Sequence, residues 1–142
     1  MNKQSINVTA DAVVFKKEKS ETFILLIKRK NPPFQNQWAL PGGFVENNED
    51  LETAAKRELK EETGIELVSC EQLFTFGTPG RDPRGRTITI AYVGFAKEND
   101  KPKAADDAKE AKWFNIKDLP ELAFDHQQII ELAISRFPQD HC

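Results

Sequence analysis

The sequence predicts an α/β fold in which a mixed β-sheet carries helices on its faces. Three observations lead there. Short runs rich in Val, Ile, Leu and Phe, bounded by polar or Pro/Gly segments, supply five or six strands. Only two segments show apolar residues at helical spacing. Those two helices do not alternate regularly with the strands, so a plain βαβ array is excluded. The 142 residues, 39% of them hydrophobic, suit a single domain spanning 1–142, which at that size buries roughly 70% of its unfolded surface and needs no staple.

Taken in order, residues 6–15 and 22–30 read as two strands joined by the polar turn KKEKSE. Asn31-Pro32-Pro33 ends the second, because proline cannot continue a ladder. Residues 37–40 (QWAL) form a short strand, and Pro41-Gly42-Gly43 a tight loop. A helix covers about 49–63, closed by Gly64 in the usual position beyond a helix end. Strands follow at 65–76 and 86–96, separated by the loop TPGRDPRGR. Residues 99–110 read as a polar loop and 111–115 as a last short strand. The second helix covers about 126–136, with Asp125 as its cap, Gln128 three residues on, and Phe124 placed to pack on Ile129.

The charge sum, 20 Lys and Arg against 23 Asp and Glu, is −3. A mildly acidic chain is a poor partner for nucleic acid or an anionic membrane, both of which select a basic excess. The N-terminus, MNKQSINVTADAVVF, has no apolar stretch suited to a signal peptide, and no run approaches a membrane span. Cys70 and Cys142 suggest no disulfide framework; two free thiols and a cytoplasmic location are the expectation. No repeat or low-complexity tract is visible.

The informative segment is GFVENNEDLETAAKRELKEETGI, residues 43–65. Projected as a helix, it puts Glu52, Thr53, Lys56, Arg57 and Lys60 on a solvated side and Leu51, Ala54, Ala55 and Leu59 toward the core. Glu58, Glu61 and Glu62 fall in that second sector, within reach of one another and at the negative end of the helix dipole. Like charges in a partly buried site raise each other's pKa unless something neutralises them. Lys60 points away, and Arg57 offsets only part of Glu61. A divalent cation resolves the conflict, and all-oxygen ligands select a hard ion, Mg²⁺ first and Mn²⁺ second. Without further pattern, a generic Glu-rich helix end would be the simpler reading.

The spacing overturns that simpler reading. Gly43, Glu49, Arg57, Glu58, Leu59, Glu61, Glu62, Gly64 and Ile65 stand in the order glycine, five residues, glutamate, seven residues, Arg-Glu-aliphatic-any-Glu-Glu-any-Gly-aliphatic. A chance match in a chain this long is roughly one in a million at average residue frequencies. The chain therefore resembles the Nudix hydrolases, and the strand and helix order carries the likeness across essentially its whole length. The resemblance implies a Nudix-type α/β/α sandwich with a mixed β-sheet and a catalytic helix at about 49–63. It also implies hydrolysis of a nucleoside diphosphate linked to another group. Glu58 and Glu62 would ligate metal with Glu61 assisting, the Gly43 carbonyl would be a further ligand, and Arg57 would orient the carboxylates through Glu49. For the general base two candidates stand, Glu61 and Glu110, the latter matching a loop position that supplies the base in many family members.

Substrate choice rests on the loop with Arg81, Arg84 and Arg86, on Pro79 about fifteen residues past the box, and on LAFDH at 122–126. Together these resemble the ADP-ribose pyrophosphatase branch, which implies ADP-ribose as substrate and AMP plus ribose 5-phosphate as products. Guanidinium forks match phosphate oxygens, so the three loop arginines and Arg29 are candidate phosphate contacts. Phe34 and Trp38 are candidate platforms for the adenine, and Asp125 and His126 candidate ribose contacts. The rivals are NADH, nucleotide sugars, dinucleoside polyphosphates and oxidised nucleoside triphosphates, or a non-catalytic ADP-ribose sensor. A homodimer is a further expectation from the resemblance.

Overall fold

The computed structural model describes residues 4–104 and 108–137; Cys142 lies outside them. In chain order the elements are β1 (Asn7–Glu18), β2 (Glu21–Arg29), β3 (Trp38–Ala39), β4 (Gly42–Phe44), α1 (Leu51–Thr63), β5 (Glu71–Phe76), β6 (Thr87–Phe95), β7 (Ala108–Asn115) and α2 (His126–Arg136). The seven strands form one mixed sheet of order β3-β2-β1-β6-β5, with β4 added on β1 and β7 on β2. β1 and β6 run parallel from Asn7 and Thr87 to Phe15 and Phe95, while the other pairings are antiparallel.

Alternation along the strands sends successive side chains to opposite faces. On one face Ala10, Ala12, Val14, Leu25, Ile90 and Tyr92 pack under Ala54, Ala55 and Leu59 of α1. On the other, Val13, Phe15, Ile24, Leu26, Ala91 and Val93 pack under Ile129, Ile130 and Ala133 of α2. The sheet is thus the middle layer of an α/β/α sandwich, as expected. Among the described residues no helix is long and apolar enough to cross a membrane.

The feature that makes room for a site is a split hairpin. β1 and β2 pair only from Phe15–Glu18 to Glu21–Ile24. Beyond that they diverge, and the segment 38–44 fills the fork. β3 pairs Ile27 and Lys28 of β2, and β4 pairs Thr9, Ala10 and Asp11 of β1. β4 was not foreseen, because Pro-Gly-Gly reads as a loop; it becomes a strand only through the free edge of β1.

Other boundaries also differ. KKEKSE is not a six-residue turn. Only Lys19 and Ser20 turn, both with positive φ (52° and 65°), as a two-residue hairpin requires, and Lys16 stays in the strand with its ammonium over the Trp113 ring. β5 begins at Glu71 rather than 65, since Ile65 and Leu67 turn inward beneath α1. β7 begins at Ala108, not 111, because it follows β2 past Lys28 to Arg29. The bounds of α2 match, but its cap does not. Asp125 makes no side-chain cap bond, and Phe124 packs on Phe34 at 4.7 Å between ring centroids rather than on Ile129.

Candidate active site

The fork places two adjacent glycines between two acidic groups. In β4, Gly42 opposes Asp11 and Gly43 opposes Ala10, so the two face opposite sides of the sheet. A Cβ on Gly42 would overlap Asp11 Oδ1, and one on Gly43 would overlap Glu58 Oε2. Each missing side chain is the space into which a carboxylate reaches. The Gly42 N–H also donates to Glu62 Oε1 at 2.8 Å, which ties β4 to α1.

Arg57 organises the helix side. Its Nε and Nη2 donate to the two oxygens of Glu49 at 2.5 and 3.0 Å, its Nη1 to Glu58 and Glu61 at 3.1 Å each, and its Nη2 also to the Phe44 carbonyl at 3.1 Å. Arg57 is therefore not on a purely solvated face; it stands inside the carboxylate cluster. Its bond holds the Glu49 carboxyl below the usual range. Glu58 behaves oppositely. Burial first, then the hydrogen bond with Glu61, raises it to about 7, against the opposing pull of Arg57. Glu62 is buried, whereas the Glu61 side chain is 45% exposed. Lys60 points outward to Glu66, as expected, and Glu52 pairs with Lys56 at 3.1 Å on the same solvated side.

Across the cleft stand Arg29 and Arg84, which line it together with Thr9, Ile27, Gly42, Gly43, Glu58 and Glu62. Arg29 Nε donates to the Pro33 carbonyl at 2.7 Å. Arg84 grips Asp82 through Nε and Nη2, at 3.1 and 2.8 Å, and its guanidinium lies 5.1 Å from the Phe44 ring and 5.5 Å from the Phe124 ring. The cleft continues inward to Asp11, Arg81, Asp82 and His126.

The structure does not bring every expected residue here. Glu110 lies in β7 opposite Lys28, on the same face as Leu26, which is the α2 face; its carboxylate is 3.6 Å from Lys28 Nζ and 55% exposed. It faces away from the α1 carboxylates and outside the lining of the cleft. Trp38 packs edge-on against Phe114, and Phe34 against Phe124. Arg86 donates to the Gly77 carbonyl at the hairpin. Arg81 is not a solvated loop arginine; its side chain is 4% exposed and forms a fork-to-fork pair with Asp125, at 2.9 and 2.6 Å. That pair explains why Asp125 does not cap α2. Asp11, Gly42, Phe44 and Asp82 were missed. For Asp11 a signal existed, an acidic residue inside an apolar strand run.

The donor set suits a hard cation: carboxylates, one of them raised by burial, beside a backbone carbonyl. As the side chains stand, no three acidic, histidine or cysteine groups among the described residues converge to hold an ion. Glu62 faces Gly42, while Glu58 and Glu61 share Arg57.

An α/β/α sandwich with a glutamate-bearing helix at a forked hairpin defines a class, and the NUDIX domain family model matches residues 6–133. The chain belongs to the NUDIX family and is a Nudix hydrolase. It is 48% identical over 124 residues to the ADP-ribose pyrophosphatase of Methanocaldococcus jannaschii, covering 87% of this chain and 70% of that one. It is 34% identical over 133 residues to the ADPR responsive transcriptional repressor NtrR of Acinetobacter baylyi, covering 91% of this chain and 53% of the repressor. A crystal structure of a bifunctional NMN adenylyltransferase/ADP ribose pyrophosphatase from Francisella tularensis, complexed with AMP and a Mn ion, superposes with a TM-score of 0.83 at 35% identity. That match covers 96% of this chain and 43% of the larger one.

Proposed function

We propose that the chain, one domain over residues 1–142, hydrolyses the pyrophosphate of ADP-ribose to AMP and ribose 5-phosphate, with Mg²⁺ or Mn²⁺ as its ion. The observation that carries this reading is the meeting of Glu58 and Glu62 of α1 with Gly43 and Gly42 of β4, faced across one cleft by Arg29 and Arg84. Likeness to an ADP-ribose pyrophosphatase at 48% identity supports the substrate, and the Mn-bound neighbour supports a divalent ion.

Glu58, Glu62 and the Gly43 carbonyl would hold the ion, with Glu61 closing on it. When bound, the ion supplies charge neutralisation at the pyrophosphate and acidifies a coordinated water. The protein's own part is positional. Glu49 fixes Arg57, and Arg57 fixes Glu58 and Glu61, so the acidic groups stand ready without collapsing onto one another. Glu61, the most exposed of the three, serves as base. Glu110 is set aside for this role because it lies on the other face of the sheet; a base must reach the attacking water directly. Arg84 and Arg29 grip phosphate oxygens from the opposite wall. Arg81 and Asp125 act from behind, by tethering the arginine loop to α2.

The deciding experiment follows AMP release from ADP-ribose beside hydrolysis of NADH, a nucleotide sugar, a dinucleoside polyphosphate and an oxidised nucleoside triphosphate, each by its own nucleotide product. ADP-ribose should be turned over at least about tenfold better than the rest, by kcat/KM, a difference of 1.4 kcal/mol in transition-state binding. Binding without AMP release would instead make the chain a sensor. Arg84→Ala should raise KM for ADP-ribose about tenfold and leave kcat within threefold, the pattern of lost uniform binding; an unchanged KM removes Arg84 from the site.

Ion uptake should also depend on pH. With the metal-free Glu58 carboxyl raised to about 7, an incoming cation must displace its proton. Below pH 7 the apparent Mn²⁺ affinity should fall, approaching about tenfold per pH unit, and above pH 8 it should level off. Calorimetric titration from pH 5.5 to 8.5 checks this, and a flat affinity across that range would show that no ligand carboxyl titrates there in the metal-free site.

A further inference from the structure

Behind β4, on the α2 side of the sheet, lies a buried polar group that the proposed chemistry does not use. His126, the first residue of α2, is 5% exposed. Its Nδ1 accepts the Leu40 backbone N–H at 3.0 Å. Accepting there makes Nδ1 the unprotonated nitrogen, so the ring proton sits on Nε2, which faces Asp11 Oδ2 at 3.7 Å. Burial, the largest influence, lowers the His126 pKa and keeps the ring neutral. Asp11 Oδ2 in turn accepts the Thr89 hydroxyl at 2.7 Å. Leu40 lies between β3 and β4, where no strand supplies an acceptor, and is itself 2% exposed. A buried N–H left there without a partner would be costly.

The four residues from Leu40 to Gly43 are therefore held at successive points. His126 holds the Leu40 N–H. The Ala12 N–H donates to the Pro41 carbonyl at 2.8 Å. The Gly42 N–H is on Glu62, and Gly43 abuts Glu58. Three of these anchors come from β1 and α1, which already flank the cleft. Of these four anchors the His126 one alone reaches through to α2; it holds the step between β3, which is fixed by its pairing with Ile27 and Lys28 and by the Ala123 N–H on the Trp38 carbonyl, and β4.

We infer that His126 is a positioning residue: through the Leu40 N–H it sets the place of β4, and so the geometry with which Gly42 and Gly43 meet Glu62 and Glu58. This rests on the ion-binding reading above. The residue touches neither ion nor reacting atoms. Its influence travels along three peptide units, and displacement of about 1 Å at a reacting centre is enough to cost a hundredfold in rate.

Two polar substitutions separate this role from general support of the core. In His126→Asn the amide oxygen takes the place of Nδ1 and can still accept from Leu40. In His126→Gln the amide lies one carbon further out, at the place of Nε2, and cannot. The expected result is that the Asn variant keeps kcat for ADP-ribose and Mn²⁺ affinity without nucleotide within about threefold of the parent, whereas the Gln variant loses about thirtyfold in kcat and tenfold in Mn²⁺ affinity, with KM within threefold. Amide exchange at Leu40 should accelerate in the Gln variant alone. Equal behaviour of the two variants, both active or both inactive, overturns the inference. Failure of the substrate reading would show separately, as a parent chain that does not cleave ADP-ribose. The Mn²⁺ and exchange measurements still report on His126 in that case.

Discussion

Glu62→Gln should lower kcat about 100- to 1,000-fold while the melting temperature stays within about 3 °C of the parent. The two expectations come from different oxygens of one side chain. Oε1 accepts the Gly42 N–H at 2.8 Å, and a glutamine oxygen still accepts that bond, though without the charge assistance of a carboxylate, so β4 stays anchored and the buried donor stays satisfied. What the substitution removes is the negative charge and the second anionic oxygen that a hard cation requires. Alanine at this position would confound the two roles, because it leaves the Gly42 N–H without a partner as well. Steady-state kinetics at saturating Mg²⁺, with a thermal melt of the same preparation, checks the prediction. A loss in kcat smaller than tenfold would leave Glu62 as a structural anchor of Gly42 and nothing more.

The forked hairpin shows why some of the site was legible in the sequence and some was not. Glu58, Glu61 and Glu62 were readable as one cluster because helical geometry converts spacing into direction, and α1 is long enough for the conversion to hold; Gly43, which lies before α1 in β4, came from the family spacing alone. Arg57 was readable as the partner of Glu49 only through family spacing. Its projection alone put it on the wrong side, since a long guanidinium stem can turn back toward a cluster that its Cβ points past. Asp11, Gly42 and Asp82 come from three separate segments, and no local periodicity relates them. Asp11 and Gly42 meet because β1 and β2 part company after Phe15 and Ile24, a property of pairing and not of either strand's composition, and Asp82 joins them from the loop between β5 and β6.

The arginine loop shows the converse failure. TPGRDPRGR looks uniformly like a solvated, phosphate-seeking tip. Folded, its arginines separate into three roles: Arg81 buried on Asp125, Arg84 in the cleft on Asp82, and Arg86 on the hairpin carbonyl of Gly77. Partner position decides among these roles, and the partners of Arg81 and Arg84 differ by 43 positions along the chain. Glu110 was misplaced for a related reason. Seen as part of a polar loop it had freedom to reach the reacting water; as a residue of β7 paired with Lys28 it is committed to the other face.

Gly43→Ala should abolish most activity while leaving the fold nearly as stable as the parent, and Gly42→Ala should do the reverse of the second part. Neither glycine has a positive φ, so the cost of each methyl is set by what it meets, not by backbone strain. At Gly43 the Cβ meets only the end of Glu58, Oε2 foremost. A carboxylate at the end of a flexible side chain can swing aside at little cost to stability. It then leaves the position from which it would bind the ion, so kcat should fall about 100-fold or more and Mn²⁺ affinity should weaken in parallel. At Gly42 the Cβ meets Asp11 Oδ1, the Ala10 carbonyl and the Asp11 Cα. Backbone cannot step aside, so β4 must separate from β1, and destabilisation of about 1–3 kcal/mol is expected, as for other overpacked positions. Chemical denaturation and Mn²⁺ titration of both variants give the comparison. If Gly43→Ala keeps kcat within threefold of the parent, the closeness of Glu58 to that glycine has no part in catalysis, and the ion must be held elsewhere on α1.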